Sequence, residues 1–202
     1  MARPFIGHLP WEYHMATLSL KCRCGEVSGS ATDVTPSSGT RVVCCCSDCQ
    51  AFAVYLGAQS DTLDEFGGTE IFQLTQSQFV IDQGMDKLRS MRLTKKGLLR
   101  WYTGCCNTPI GNTITAKMPL VGVIHTFIDT PDREKVLGPV RAFVQTQHAK
   151  GTPDYPKHSA KFPLGITARI IRKMLLWKLQ GKSKPSVLFD NDGRPVAKPT
   201  IA

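Results

Sequence analysis

The chain has 202 residues, 42% hydrophobic and 20% charged, with a formal net charge of +9. Such a length and composition build an ordinary core, which excludes a small scaffold that depends on disulfides. No run of about 18 apolar residues occurs, so no membrane-spanning helix is expected; the excess of Lys and Arg suits a nucleic acid, an anionic membrane or an anionic small molecule.

Residues 1–14 read as a lead-in segment. They hold prolines, a Glu and histidines but no continuous apolar stretch, so no secretory signal is expected and the chain is placed in the cytoplasm, where thiols stay reduced. Residues 15–150 read as one mainly β domain. In chain order the strand signals are ATLSLKC (16–22), RVVCC (41–45), FAVYL (52–56), EIFQL (70–74), SQFVID (77–82), KLRSMRL (87–93), LLRWY (98–102) and the buried run LVGVIHTFI (120–128). Polar or Gly-containing breaks separate most of them. DTPDREKVLG (129–138) reads as a helical turn or two, with Asp129 or Thr130 as N-cap, Pro131 first and Gly138 as the stop.

Residues 151–202 read as a C-terminal extension carrying a basic amphipathic helix over about 166–180. Ile166, Ile170, Ile171, Met174, Leu175 and Leu179 share an apolar arc, with Lys178 near its middle. Arg169, Arg172 and Lys173 gather opposite. The arc is expected to pack on the β domain with the charges in water; resting on an anionic membrane or contacting nucleic acid are the alternatives. SVLFDNDGRPVAKP (186–199) follows as a short strand, an Asp-Gly turn and a frayed end.

The eight cysteines are clustered: Cys22-x-Cys24-Gly25, Cys44-Cys45-Cys46-x-x-Cys49, and Cys105-Cys106. In a reducing compartment such clusters point to metal or catalysis rather than disulfides. Thiolates are soft ligands, and zinc takes four ligands in a tetrahedron with Zn–S bonds of about 2.3 Å. A C-x-C pair followed by Gly lets a tight turn aim two sulfurs at one ion. C-x-C-x-x-C supplies three from one loop, and three protein ligands with an open fourth position describe a catalytic zinc.

LKCRCGEVSG, CCCSDCQ and RWYTGCCNTPIGN, in that order, resemble the motifs of the glutathione-dependent formaldehyde-activating enzyme family, which includes the centromere-protein-V group. The resemblance covers about residues 16–115. It implies a β-tent, twisted antiparallel sheets around zinc, with a C-terminal amphipathic helix added here. It also implies two zincs: a structural one held by cysteines of the first and third motifs, Cys22, Cys24, Cys105 and Cys106, and a catalytic one held by Cys44, Cys46 and Cys49. Cys45 stands where the family commonly has His. Cys106-Asn107-Thr108-Pro109 aligns with the family's C-G-T-P, which puts Thr103 where a cysteine is usual and leaves Cys105 as the nearest substitute. Adjacent residues of an extended chain point to opposite faces. Cys105 and Cys106 therefore meet one ion only if the backbone turns sharply between them; otherwise Cys22, Cys24, Cys106 and a noncysteine ligand or water form the site.

The resemblance implies a carbon–sulfur lyase acting on a glutathione–aldehyde adduct such as S-hydroxymethylglutathione, or on a similar small-thiol adduct. A zinc with three thiolates carries a formal charge of −1, and Lys21, Arg41 and Arg100 stand beside the motifs to offset it. Ser47 and Asp48 lie within the loop, in reach of a thiolate or substrate. The other reading is a non-catalytic zinc module that contacts nucleic acid or membrane through its basic surface. His125 reads as a satisfied core histidine and Trp101-Tyr102 as core packing. No Ser-His-Asp order, P-loop or dinucleotide fingerprint occurs.

Overall fold

In the computed structural model, which describes residues 15–202, Leu18 and Leu20 of the first strand point inward while Thr17, Ser19 and Lys21 face water. This alternation marks a half-buried strand. In chain order the strands are β1 (Ala16–Lys21), β2 (Ser28–Val34), β3 (Arg41–Cys44), β4 (Thr69–Leu74), β5 (Phe79–Gln83), β6 (Leu88–Arg92), β7 (Leu99–Thr103), β8 (Pro109–Thr113), β9 (Val121–Ile124), β10 (Ala142–Val144), β11 (His158–Ser159) and β12 (Thr200–Ile201). The helices are α1 (Ser47–Tyr55), α2 (Gln59–Thr62), α3 (Arg133–Leu137) and α4 (Leu164–Leu179). Among the described residues the fold is mainly β, with one long helix, α4, near the C-terminus. The lead-in, residues 1–14, lies outside the described residues.

Two sheets form. β1, β2 and β5 make an antiparallel three-stranded sheet. The other sheet has nine strands in the order β11-β10-β3-β4-β9-β8-β7-β6-β12. Its centre is antiparallel, while β10 pairs in parallel with β3 and β11, and β12 pairs in parallel with β6. β4 shows how the large sheet serves two cores. Phe72 and Leu74 join Leu18, Leu20, Phe79 and Trp101 in the core shared with the small sheet, while Ile71 joins Val42, Phe52, Ile124 and Val144 in a second core under α1.

The structure differs from the sequence reading in several segments. The short strand expected in 186–199 is only an isolated bridge between Phe189 and Pro195. FAVYL is helical, as part of α1. Cys49, Phe52, Ala53 and Leu56 recur at helical spacing and are all buried; Cys46 caps the start by accepting the Cys49 N–H, and Gly57, at φ 64, ends it. β2, β8 and β10 were not foreseen, because SGSATDV, PIGNT and AFV lack a strong β-branched alternation. The helix in 129–138 starts at Arg133, one residue after Asp132 rather than at Pro131. The chain end does not fray: Thr200 and Ile201 pair with Met91 and Arg92.

α4 spans Leu164–Leu179 and splits its apolar arc. Ile166, Ile170 and Met174 turn toward the domain, but Ile171, Leu175 and Leu179 are 47%, 59% and 86% exposed. Arg169 and Lys173 also turn inward, donating to the carbonyls of Ser37, Ser38 and Gly39. The turn before β3 presents these carbonyls toward α4, and the two cations satisfy them. The charged face foreseen for water is thus partly a docking face.

Candidate metal centres

The first cysteine group joins two distant turns. Gly25, at φ 82, lets the chain fold back after β1; its N–H meets the Cys22 carbonyl at 3.0 Å. On the other side the chain reverses after β7. Asn107 adopts a left-handed φ of 56, and its N–H bonds the Thr103 carbonyl at 2.9 Å. This reversal supplies the sharp turn that Cys105 and Cys106 need to face one point. The sulfurs of Cys22, Cys24, Cys105 and Cys106 all lie within 4.8 Å of one another. Separations are 3.6 Å for Cys22–Cys24, 3.9 Å for Cys22–Cys105, 3.3 Å for Cys24–Cys105 and 3.8 Å for Cys105–Cys106. A tetrahedral zinc with Zn–S bonds of about 2.3 Å spaces its sulfurs by roughly 3.8 Å, so this set fits one ion. The thiols are free, not disulfide-bonded.

Hydroxyls support this group. Thr103 Oγ1 lies 3.4 Å and Thr108 Oγ1 3.1 Å from Cys106 Sγ. Burial alone would push the Cys106 thiol up; the two hydroxyls outweigh it and bring it down to about 5. Thr103 therefore sits beside the sulfurs as a hydrogen-bond partner, while Cys105 supplies the fourth sulfur.

The second group is local. Cys44 ends β3, Cys46 caps α1 and Cys49 lies in the first turn of that helix. Their sulfurs also lie within 4.8 Å of one another. Contact with Cys44, then with Cys49, holds the Cys46 thiol down at about 2, and the Arg100 charge adds to this. Cys44 is pushed up, first by its contact with Cys46. For Cys49, contact with Cys44 acts downward, but contact with Cys46 and burial outweigh it and raise the thiol to about 12. Three crowded sulfurs of this kind form a set that could hold a divalent cation. Cys45 is fully buried and takes no part in either group.

The second group opens on a cavity of about 540 Å³ that Cys44, Cys46 and Cys49 line. Arg100 and Asp48 line it too. The Arg100 side chain is 3% exposed; its Nη2 lies 3.3 Å from Asp48 Oδ2, and its guanidinium lies 5.5 Å over the Phe52 ring. Of the other cations foreseen here, Arg41 is buried and bound to Glu70, Glu134 and the Gly138 carbonyl, which leaves it nothing to offer a substrate. Lys21 lines a different cavity, of about 570 Å³, beside Cys22. His125 lines that cavity as well, its Nδ1 3.4 Å from the Glu70 carbonyl. Trp101 is fully buried, donating to Thr113 Oγ1 at 2.9 Å, and Tyr102 packs edge-on against Phe52.

Sequence reasoning missed the cavity walls. Leu98, Ile114, Leu120, Phe162, Ile170 and Met174 come from five segments that only the fold brings together. The spacing of Ile170 and Met174 was the one available signal.

No helix among the described residues is long and apolar enough to cross a membrane. A family model described as a family of unknown function, DUF6151, matches residues 15–200. No curated protein matches the chain.

Proposed function

The chain belongs to DUF6151, a family that brings no assigned activity with it, and we propose its function from the site itself: metal-dependent breaking or making of a carbon–sulfur bond in a small-thiol adduct at Cys44, Cys46 and Cys49. One observation carries this reading. Three sulfurs within 4.8 Å of one another open on a cavity that also presents a buried guanidinium. The resemblance of the three cysteine motifs to the glutathione-dependent formaldehyde-activating family supports both the reaction type and zinc as the ion. On the same reading the two sheets are the walls of a tent pinned by a second zinc at Cys22, Cys24, Cys105 and Cys106.

When bound at the three cysteines, zinc supplies positive charge that favours the thiolate form of a substrate sulfur and polarises a neighbouring oxygen. Cys44, Cys46 and Cys49 would hold the ion at the cavity wall. Arg100 lines the same cavity and favours negative charge on a departing sulfur there. In the lyase direction the carbon–sulfur bond of a hemithioacetal breaks and its electron pair stays on sulfur. The hydroxyl becomes a carbonyl, and its proton passes to the Asp48 carboxylate, which Arg100 orients. The reverse sequence makes the adduct from thiol and aldehyde.

The test is exchange spectroscopy by NMR on a mixture of formaldehyde and a small thiol. Zinc-loaded protein is expected to accelerate exchange between free and adduct thiol. Cys46→Ala is expected to abolish the acceleration while the far-UV dichroism stays native. No acceleration by the zinc-loaded wild type overturns the proposal.

A further inference from the structure

The cavity at the open cysteine group is apolar over most of its wall. Leu98, Ile114 and Leu120 line one part; Phe162 and the inward residues Ile170 and Met174 of α4 line another. Arg100 is the one Lys or Arg among the described lining residues, and its Nη2 lies 3.3 Å from Asp48 Oδ2. A glutathione adduct brings two carboxylates, for which the wall offers one guanidinium and a few polar side chains, Ser47, Gln73, Asn112, Gln145 and His148, and a carboxylate buried without a charged partner is costly. An alkyl or aryl body meets a wall that gains by covering it.

We propose that the substrate of the Cys44–Cys46–Cys49 site is a thiol adduct with a lipophilic body, and that the inward face of α4 sets the length of chain it accepts. This rests on the carbon–sulfur reading above. The sulfur end takes the position that the three cysteines leave open, and the body lies along the cavity toward Met174. Each buried methylene is expected to tighten binding about fourfold.

The experiment is calorimetric titration of the zinc-loaded full chain with ethanethiol, butanethiol, hexanethiol and glutathione. Kd is expected to fall by about fourfold per methylene along the alkyl series, with glutathione weaker than hexanethiol. Met174→Trp, which fills the far end, is expected to weaken hexanethiol by about tenfold or more and ethanethiol far less; Met174→Ala, which opens the far end, is expected to weaken hexanethiol less than Met174→Trp does. If glutathione binds tightest, or affinity ignores chain length, the lipophilic class falls and the carbon–sulfur reading stands. If the wild type binds none of the four thiols, that reading falls and takes this one with it.

The outward face of α4 carries a second inference, independent of the first. Leu164, Ile171, Leu175 and Leu179 form a stripe along the helix, 89%, 47%, 59% and 86% exposed. Arg172 and Lys178 flank it, and both are exposed. Between Asp154 and Asp190 the chain has eight Lys and Arg and no Asp or Glu, and only Arg169 and Lys173 of α4 turn inward. A second copy of the chain would set like charges against one another. A nucleic acid would find aliphatic side chains, which give its bases nothing to stack on. We infer that this face rests on an anionic lipid surface, with α4 parallel to the bilayer and the leucines in the headgroup–acyl boundary.

Co-sedimentation of the full chain with phosphatidylcholine vesicles, with and without phosphatidylglycerol, tests this. Binding is expected only with phosphatidylglycerol, and it is expected to weaken as salt rises. The double change Leu175→Glu, Leu179→Glu is expected to cut binding by about tenfold or more without lowering the melting midpoint, since both side chains are exposed. No binding to either vesicle, equal binding to both, unchanged binding by the double variant, or tighter binding to duplex DNA than to the anionic vesicles overturns the inference.

Discussion

The two cysteine groups use the same atom and do different work because of where their sulfurs come from. The group of four ties the end of β1 to the turn after β7, residues more than eighty positions apart, and it closes on itself. The group of three comes from a single strand–helix junction and stays open to a cavity. An ion in the first staples the core between the two sheets; an ion in the second pins only one junction. Formal charge separates them further: zinc with four thiolates carries −2 and with three −1, so the first is the poorer Lewis acid. Arg100 faces the second. Closure suits holding, and openness suits exchange.

The largest expected effect breaks this symmetry outright. Structural zinc in small domains contributes roughly 10–16 kcal/mol of apparent binding energy, against a typical domain stability of about 5–15 kcal/mol. Cys22→Ser is therefore expected to remove the cooperative thermal transition. Cys46→Ala is expected to lose one ion of two and keep a melting midpoint within several degrees of the wild type. Calorimetry with metal analysis on the same samples reads both, and a Cys22→Ser chain that melts like the wild type ends the division between a stapling and a working group.

A pH series sharpens the comparison at the open group. Before an ion binds there, Cys46 is already a thiolate, held at about 2, while Cys44 and Cys49 are raised and keep their protons at neutral pH. Binding must displace those two protons. Raising the pH removes the competition, so zinc affinity at this group is expected to increase with pH, by about a hundredfold per unit around neutrality. On acidification the open group is expected to release its ion first, giving two separate steps with a colorimetric zinc indicator. Simultaneous release shows that the two groups act as one.

The closed group was almost legible in the sequence, and the reason is local. C-x-C-G states its own turn, and the strands around it alternate clearly. What spacing could not state was that Asn107 takes a left-handed conformation, so that the sulfurs of adjacent Cys105 and Cys106 lie in one group with those of Cys22 and Cys24. α1 was misread for the opposite reason: FAVYL is rich in strand formers, yet Cys49, Phe52, Ala53 and Leu56 recur at helical spacing and tertiary burial decided the outcome. α4 was found in the right place, but its arc was assigned to one side. The carbonyls of Ser37, Ser38 and Gly39, which draw Arg169 and Lys173 inward, lie some 130 residues away and leave no local trace. The cavity was invisible for the same reason, since its walls meet only in the folded chain.

The smallest expected effect tests whether the closed group has its own supporting shell. Thr108 Oγ1 accepts the Arg23 N–H at 3.1 Å and lies 3.1 Å from Cys106 Sγ, so one hydroxyl joins both turns that carry the four sulfurs. Thr108→Val keeps the shape and removes that link. The Arg23 N–H loses its partner, which costs about 1–3 kcal/mol, and loss of such a supporting contact weakens metal binding by about 10- to 100-fold. Zinc at the closed group is expected to weaken by about tenfold, at the low end of that range because Thr103 still reaches Cys106. Zinc at the open group, which shares no hydrogen bond with Thr108, is expected to bind as in the wild type. Competition titrations that resolve the two steps read both affinities. An equal loss at both groups means that the hydroxyl supports the fold as a whole, and no loss at either means that the four sulfurs hold their ion without it.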